Sequence, residues 1–221
     1  MRQMILDIRP DAPPGFDNFL VGANGEAIVT LHGWVASGAP ECVLYLWGEP
    51  GTGKTHLLRA AESACREQGR EVHLLSAGQP LPATLSGLLL VDDVEGLDAA
   101  GQVALFNLIN QAREGAGHIV ASGGAAPATL ALREDLRSRL AWGLVFRLLP
   151  LSDADKLGAL RGRAAARGLE LPDEVGRHLI THCRRDLPHL LALVDGLDGF
   201  SLSMKRPLTL PLVREFLRDH G

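Results

Sequence analysis

The fold of this chain is decided by one stretch, Gly48-Glu49-Pro50-Gly51-Thr52-Gly53-Lys54-Thr55, which directly follows the apolar residues 42–47. This order is typical of a phosphate-binding loop that connects a buried strand to a helix. The glycines allow the backbone to curl until successive N–H groups face one centre, while Lys54 brings a cation and Thr55 a hydroxyl suited to Mg²⁺. Apolar residues recur at helical spacing after the loop, so bound phosphates would lie at a helix N-terminus.

A second part of the same site is predicted at residues 87–93, where four aliphatic residues are followed by two acids. In open α/β sheets the ligand binds at the carboxyl ends of the strands, where these acids would lie. Asp92 is therefore predicted to hold Mg²⁺, directly or through water, and Asp93 to orient or deprotonate an attacking water. Ser122 ends another apolar run, either as a polar sensor beside the γ-phosphate or as an ordinary residue at a strand end.

The wider pattern predicts an α/β fold, a sandwich of helices around a parallel sheet, followed by a small all-helical domain. Short apolar runs typical of buried parallel strands occupy residues 42–47, 72–75, 88–91, 119–121 and 145–149. Helical patterns separate them, and after Pro150 only helical patterns remain. We expect a tail over residues 1–14, a nucleotide-binding base domain over 15–150 and a helical lid over 151–221.

Composition limits the classes of function. The 221 residues are 46% hydrophobic and carry a formal net charge of −4, which argues against tight, direct binding to nucleic acid. No apolar run approaches the ~20 residues that span a bilayer, and the start lacks the features of a signal peptide. Three widely spaced cysteines imply no disulfide framework. We expect a cytoplasmic protein without membrane contact.

Several motifs together resemble one family. The loop, the strand ending in Asp92 and Asp93, the segment Leu-Arg-Ser-Arg-Leu-Ala-Trp-Gly at 136–143 and the Arg-Arg-Asp-Leu at 184–187 are similar to the AAA+ module of the bacterial replication initiator DnaA. The resemblance covers nearly the whole chain and implies an AAA+ P-loop fold with a lid. Apart from the resemblance, Trp142 lies within an apolar pattern, which predicts a position in the core.

The resemblance also implies roles for individual residues. Arg139 matches the arginine finger and Arg185 the sensor-2 arginine of the lid, while Ser122 and Gly124 cover the sensor-1 region. Residues 16–24 are similar to the segment that wraps the adenine. ATP or ADP with Mg²⁺ is the implied cofactor. The expected nucleotide contacts are Gly48, Pro50, Gly51, Thr52, Gly53, Lys54, Thr55, His56, Phe19, Val21 and Arg185, with Thr55 and Asp92 as the Mg²⁺ ligands.

Two further features resemble the Hda family of DnaA inactivators. The chain stops at Gly221, so we expect no helix-turn-helix domain for origin DNA and no sequence-specific DNA binding. Residues 3–8 resemble the peptide by which proteins dock on the sliding clamp, the β subunit of DNA polymerase III. The docking residues expected are Gln3, Met4, Leu6 and Ile8. In isolation, so loose a pattern also fits an ordinary tail.

The function implied by the resemblance is negative regulation of chromosomal replication initiation. The chain would dock on the DNA-loaded clamp and present Arg139 in trans to ATP held by DnaA, acting as an activator of its partner's ATPase. Two alternatives stay open: a self-sufficient P-loop ATPase, since Lys54, Thr55, Asp92 and Asp93 are all present, and an AAA+ accessory or loader of the replication machinery. An AAA+ module is also compatible with a homo-oligomer.

Overall fold

The computed structural model describes residues 13–37, 41–76 and 78–220. The docking peptide predicted at Gln3, Met4, Leu6 and Ile8 lies outside these residues. The chain divides into two compact units between Pro150 and Leu151. Among the described residues, no helix combines the length and the apolar character that crossing a bilayer requires.

The first unit is built on a five-stranded parallel sheet with the order β2-β3-β4-β1-β5. Its strands are β1 (Val43–Trp47), β2 (Val72–Ser76), β3 (Gly87–Asp92), β4 (Gly117–Gly123) and β5 (Leu144–Arg147). The central strands are apolar almost throughout because a parallel sheet is covered on both faces. The five predicted strands are all present, with ends that differ by one or two residues.

Helices cover both faces of the sheet. They are α1 (Gly25–Ser37), α2 (Lys54–Glu67), α3 (Ala99–Arg113) and α4 (Glu134–Leu140). Alternate strand residues point to opposite faces: Leu44 and Leu46 pack with α1 and α2, while Val43 and Tyr45 pack with α3 and α4. The predicted α/β sandwich is confirmed, and it brings the carboxyl ends of β1, β3 and β4 to one edge.

The second unit contains four helices, α5 (Asp153–Ala165), α6 (Asp173–His182), α7 (Leu187–Met204) and α8 (Leu210–His220). Ser152 and Asp155 form a reciprocal capping box that starts α5. After α5, Gly168 adopts a positive φ of 73°, a conformation that favours glycine at a helix end. One apolar core, which includes Leu160, Leu179 and Leu190, fills this unit.

Candidate functional site

The phosphate-binding loop has the backbone conformation that its sequence predicts. Gly51 and Gly53 adopt φ values of 82° and 96°, and Gly53 precedes the first residue of α2. A Cβ at Gly53 would lie 2.5 Å from Cε2 of Phe19, and one at Gly48 would lie 2.5 Å from the carbonyl oxygen of Leu148. Both positions therefore need glycine, because L side chains would be strained or would clash.

Side chains fix the shape of this loop from within. The Lys54 Nζ donates to the carbonyl oxygen of Gly48 at 2.8 Å and to that of Glu49 at 3.3 Å. The Thr52 hydroxyl donates to the same Glu49 carbonyl at 2.9 Å. Lys54 is only 8% exposed, yet its partners are neutral carbonyls rather than carboxylates. A phosphate group would give this buried cation the countercharge that carbonyls do not supply.

The two halves of the predicted site meet through Asp92. The Thr55 hydroxyl, at the start of α2, donates to Asp92 Oδ2 at 2.6 Å. The hydroxyl of Ser122, at the end of β4, donates to Asp92 Oδ1. Asp92 and Ser122 are both buried, so the carboxylate is held in one orientation by two hydroxyls. The Ser122 side chain faces Asp92, which gives it a positioning contact that its place in the sequence alone did not indicate.

Asp93 lies next to this network in a different environment. Its backbone has a φ of 53°, and its N–H donates to the Ser122 hydroxyl at 3.1 Å. Partial burial, together with the neighbouring carboxylates Asp92 and Glu95, raises the pKa of Asp93 above its ordinary value, while Lys54 acts in the opposite direction. A carboxyl with a raised pKa is a better proton acceptor than an ordinary aspartate.

The donors present suit a magnesium–nucleotide complex. Thr55 offers a hydroxyl and Asp92 a carboxylate, which are hard oxygen ligands, and Mg²⁺ bound with nucleotides takes only one or two protein ligands beside waters and phosphates. Within residues 13–37, 41–76 and 78–220, no group of three or more His, Cys, Asp and Glu side chains could hold a metal. Any bound Mg²⁺ would therefore take most of its ligands from waters and phosphate oxygens.

The segment expected to contact the base lies beside the loop. The Phe19 ring packs edge-on against His56, with a centroid distance of 5.3 Å, and its edge also reaches Gly53. The His56 Nε2 is 3.0 Å from the carbonyl oxygen of Gly15, which ties this segment to α2. Val21 is exposed. Phe19 and His56 are thus brought to the loop, although their ring contacts are with each other.

Two arginines of α4 differ in their contacts. The Arg137 Nη1 donates to the carbonyl oxygen of Ala128 at 3.1 Å and so supports the turn before α4. Arg139 has a different neighbourhood, with its Cζ 3.6 Å from the ring centre of Trp142 and 5.1 Å from that of Phe106. Its Nη1 is buried and has no hydrogen-bond partner. Arg139 therefore carries a charge that its stacking contacts do not neutralise.

Arg185 belongs to the second unit, where it follows α6. Its Nη2 donates to a carboxylate oxygen of Asp153, at the start of α5, and both side chains are exposed. An exposed ion pair of this kind contributes little to stability, about 0–1 kcal/mol. Arg185 can therefore exchange this partner for another anion at low cost.

Tyr45 and Glu95 shape the same edge of the sheet, and no sequence motif indicates either residue. The Tyr45 hydroxyl donates to the carbonyl oxygen of Ala125 at 2.9 Å, and a Glu95 carboxylate oxygen accepts from the Gly124 N–H. Burial, reinforced by the Glu95 and Asp93 carboxylates, raises the pKa of Tyr45. A Cβ at Gly123 would lie 2.0 Å from the Tyr45 hydroxyl oxygen, so this strand end also needs glycine.

The two units are each similar to parts of known proteins. Residues 153–217 match the protein-family model described as "Hda, lid domain". The whole fold is similar to domain III of the replication initiation protein DnaA from Thermotoga maritima, with a TM-score of 0.75 and 23% identity over 93% of this chain and 95% of that one. The chain has the fold of DnaA domain III, and its second unit matches the Hda lid.

Other solved AAA+ proteins share this fold. AMPPCP-bound DnaA from Aquifex aeolicus has a TM-score of 0.70 and 22% identity, over 87% of this chain and 68% of that one. A single-residue variant of RuvB from Thermotoga maritima has a TM-score of 0.72 and 18% identity, over 94% of this chain and 72% of that one. The expected AAA+ sandwich with a helical lid is confirmed, while at these identities the likeness concerns the fold alone.

Proposed function

We propose that this protein is a nucleotide-bound negative regulator of chromosomal replication initiation. It stimulates ATP hydrolysis by DnaA through Arg139 acting in trans. The match of residues 153–217 to the Hda lid supports this assignment at the level of the family. The observation that carries the mechanism is the state of Arg139, whose guanidinium contacts aromatic rings and forms no ion pair within the described residues.

The charges around Arg139 explain why it suits this role. Across the ranges 13–37, 41–76 and 78–220, no ion pair involves Arg139, whereas the neighbouring Arg133 pairs with Asp135. An arginine with a carboxylate partner would have to break that pair before it met a phosphate. Arg139 needs no such exchange, and its in-plane N–H groups match the geometry of phosphate oxygens.

Arg139 would act electrostatically, by stabilising negative charge in the transition state. Phosphoryl transfer spreads negative charge over the equatorial oxygens of the transferred group, and an arginine placed there stabilises the transition state. Arginine fingers contribute about 10³- to 10⁵-fold in rate, which corresponds to roughly 4–7 kcal/mol of activation free energy. The ATP and its attacking water would belong to DnaA.

The chain's own loop would hold ATP or ADP as a structural ligand. The N–H groups at the start of α2 and the Lys54 ammonium would bind phosphates, while Thr55 and Asp92 would hold Mg²⁺. Mg²⁺, when bound, neutralises phosphate charge. Two nucleotide-bound relatives support this proposal: DnaA from Aquifex aeolicus bound to AMPPCP, and a replication initiator DnaA bound to AMPPCP and single-stranded DNA.

Docking on the sliding clamp is the second part of the proposal. It rests on the sequence of residues 3–8 alone, in which Gln3, Met4, Leu6 and Ile8 match the docking pattern. Docking would place Arg139 near DnaA on replicated DNA and would couple inactivation to a loaded clamp. A tethered partner raises the effective concentration without any new contact at the Arg139 surface.

The experiment that tests the mechanism measures phosphate release from DnaA–ATP in the presence of clamp-loaded DNA and this protein. Arg139→Ala should lower the stimulated rate by at least about 10³-fold while leaving clamp binding intact. Arg133→Ala is the matched control beside the same helix and should keep the full rate, because Arg133 is exposed and paired with Asp135. A stimulated rate that survives Arg139→Ala would refute the mechanism.

A separate experiment tests docking. The double substitution Gln3→Ala, Leu6→Ala should abolish co-elution with the clamp in gel filtration. Stimulation of DnaA should then persist only at high protein concentration, because the Arg139 surface is unchanged. Normal co-elution of the double variant would remove clamp docking from the proposal and would leave the role of Arg139 to be judged by its own assay.

A self-sufficient ATPase is the second candidate, and one observation favours it. Thr55, Asp92 and Asp93 lie together at the loop, and Asp93 has a raised pKa. Phosphate release by the purified protein alone separates the two functions. Rapid turnover that Asp93→Asn abolishes would establish the ATPase, whereas slow turnover with strong stimulation of DnaA would support the regulator. An accessory or loader role would show binding to DnaA without any dependence on Arg139.

A further inference from the structure

Trp142 is unusual among the aromatic residues of this chain. Its place in an apolar pattern predicts a core position, yet the side chain is 51% exposed. The expectation was wrong because Trp142 follows the end of α4, where the chain turns toward β5, and its ring lies against charged side chains instead of the core. Because half of the Trp142 side chain is exposed, packing in the core does not explain its position.

Two guanidinium groups lie against the same indole. The Cζ of Arg139 is 3.6 Å from the centre of the Trp142 ring, and the Cζ of Arg113, at the end of α3, is 4.3 Å from it. The ring of Phe106, also on α3, has its centre 5.1 Å from the Arg139 Cζ. Tryptophan attracts cations most strongly of the aromatic residues, because its ring face is the most electron-rich. The Trp142 ring thus contacts two positively charged guanidinium groups.

The contact with Trp142 restrains the Arg139 side chain without using its N–H groups as hydrogen-bond donors. The Arg139 Cζ lies 3.6 Å from the centre of the Trp142 ring, a cation–π contact that involves no hydrogen bond from the guanidinium. A free arginine side chain occupies many rotamers, and ordering them on contact with a phosphate opposes binding and catalysis. A stacked arginine has already lost much of that freedom. Nη1 itself is buried, so an oxygen ligand would meet the other N–H groups of this partly exposed side chain.

We infer that Trp142 is a positioning residue for Arg139: the indole holds the guanidinium in the orientation that meets the phosphates of the nucleotide bound to the partner. The inference rests on the proposed function of Arg139. It adds that the rate depends on an aromatic face at position 142, although Trp142 itself need not touch the nucleotide. Arg113 shares the ring but is not required for this role, because the ring continues to hold Arg139 without it.

Kinetics with the partner separate positioning from simple contact. Trp142→Ala should lower the maximal rate of DnaA–ATP hydrolysis about tenfold or more, since small misplacements of a catalytic group have large effects. The concentration that gives half of the maximal rate should change by less than about threefold. Trp142→Phe should restore most of the rate, whereas Trp142→Leu, which is apolar but not aromatic, should not. A loss confined to the half-maximal concentration, or rescue by leucine, would overturn the inference.

Two further variants complete the kinetic test. Arg113→Ala should keep the maximal rate within about twofold, because it removes the other guanidinium and leaves Arg139 against the ring. Adding Trp142→Ala to Arg139→Ala should cause no additional loss, since the indole acts through that arginine. An equal loss in Arg113→Ala, or a further loss in the double variant, would contradict a role exercised through Arg139. Thermal unfolding confirms that each variant is folded.

An NMR measurement on the isolated protein tests the positioning without reference to DnaA. The indole ring current should shift the Arg139 Nε–H proton upfield from the position of free arginine, and Trp142→Ala should return it toward that position. A resonance that does not move would overturn the inference even if Arg139 is essential. A resonance that moves while Arg139→Ala leaves hydrolysis unchanged would keep the positioning contact and reject the proposed function.

Discussion

The Thr55 hydroxyl donates a 2.6 Å hydrogen bond to the carboxylate of Asp92, joining the phosphate-binding loop to a strand that does not pair with β1. β4 lies between these two elements, and its Ser122 binds the other oxygen of the same carboxylate. Three elements separated in sequence therefore meet at one buried acid. The fold thus brings together Thr55 and Asp92, the two residues expected to hold Mg²⁺.

Ser122→Ala tests how much this network depends on its second hydroxyl. The substitution removes a donor to the buried Asp92 carboxylate and an acceptor for the Asp93 N–H. Hydrogen bonds to charged groups contribute about 1.5–3 kcal/mol, so we expect a loss in that range in urea denaturation and weaker Mg²⁺–nucleotide binding. Ser138→Ala, at an exposed site on α4, should change neither. Unaltered stability of Ser122→Ala would show that Asp92 is held by other contacts.

Gly53→Ala should disturb the loop and the segment above it together. The residue has a φ of 96°, and a Cβ would lie 2.5 Å from the Phe19 ring. We expect a loss of about 1–3 kcal/mol in the free energy of unfolding and loss of nucleotide binding by calorimetry. Gly158→Ala provides the control, since Gly158 lies inside α5 with open space around it. It should stabilise its helix by about 0.5–1 kcal/mol.

Asp93→Asn should stabilise the protein at neutral pH. The pKa of Asp93 is raised in the folded state by burial and by Asp92 and Glu95, so ionisation of this group opposes folding. That destabilisation is present in full above the folded pKa, and it disappears as the pH falls below the unfolded value. The variant should therefore be more stable than the parent at pH 7 and match it near pH 3, as measured by thermal unfolding. A constant difference across this range would contradict the assignment.

Asp195 should be important for the stability of the lid. It accepts from Arg163 Nε at 2.8 Å and Nη2 at 2.6 Å, and from Arg167 Nε at 2.7 Å. Asp195→Asn weakens these charge-assisted bonds, and we expect a loss of about 1.5–3 kcal/mol. Glu215→Gln, in a more exposed pair with Arg206, should cost about 0–1 kcal/mol. Similar losses in the two variants would show that the partial burial of the Asp195 cluster does not increase its contribution to the free energy of unfolding.

The fold could be predicted because its signals are local. A parallel sheet covered on both faces produces apolar runs such as residues 88–91, and helix caps such as Ser152 have short-range signatures. The phosphate-binding loop needs glycine at fixed positions, so its backbone geometry could be predicted from eight consecutive residues. Thr55 and Asp92, both expected as Mg²⁺ ligands, lie within hydrogen-bond distance of each other, because β1, which leads into the loop, and β3 end at the same edge of the sheet.

The parts that could not be predicted depend on contacts between distant residues. Trp142 was expected in the core because its neighbours are apolar, but the ring turns toward Arg113 on α3, which no sequence spacing indicates. The sequence alone could not decide whether Ser122 is a sensor of the γ-phosphate or an ordinary residue at a strand end. Only the register of β3 with β4 brings its hydroxyl to Asp92. Glu95 carries no motif at all, and its contact with Gly124 arises from the turn after β3.

The most direct test of the central claim follows the nucleotide bound to DnaA. DnaA is loaded with radiolabelled ATP and freed of excess label, then mixed in a single turnover with clamp-loaded DNA and with this protein carrying unlabelled ADP. We predict that the label is converted to ADP on DnaA with the parent protein and with Arg133→Ala, but not with Arg139→Ala. If the label stays as ATP with the parent protein, or is hydrolysed equally with Arg139→Ala, the account of Arg139 acting in trans is contradicted.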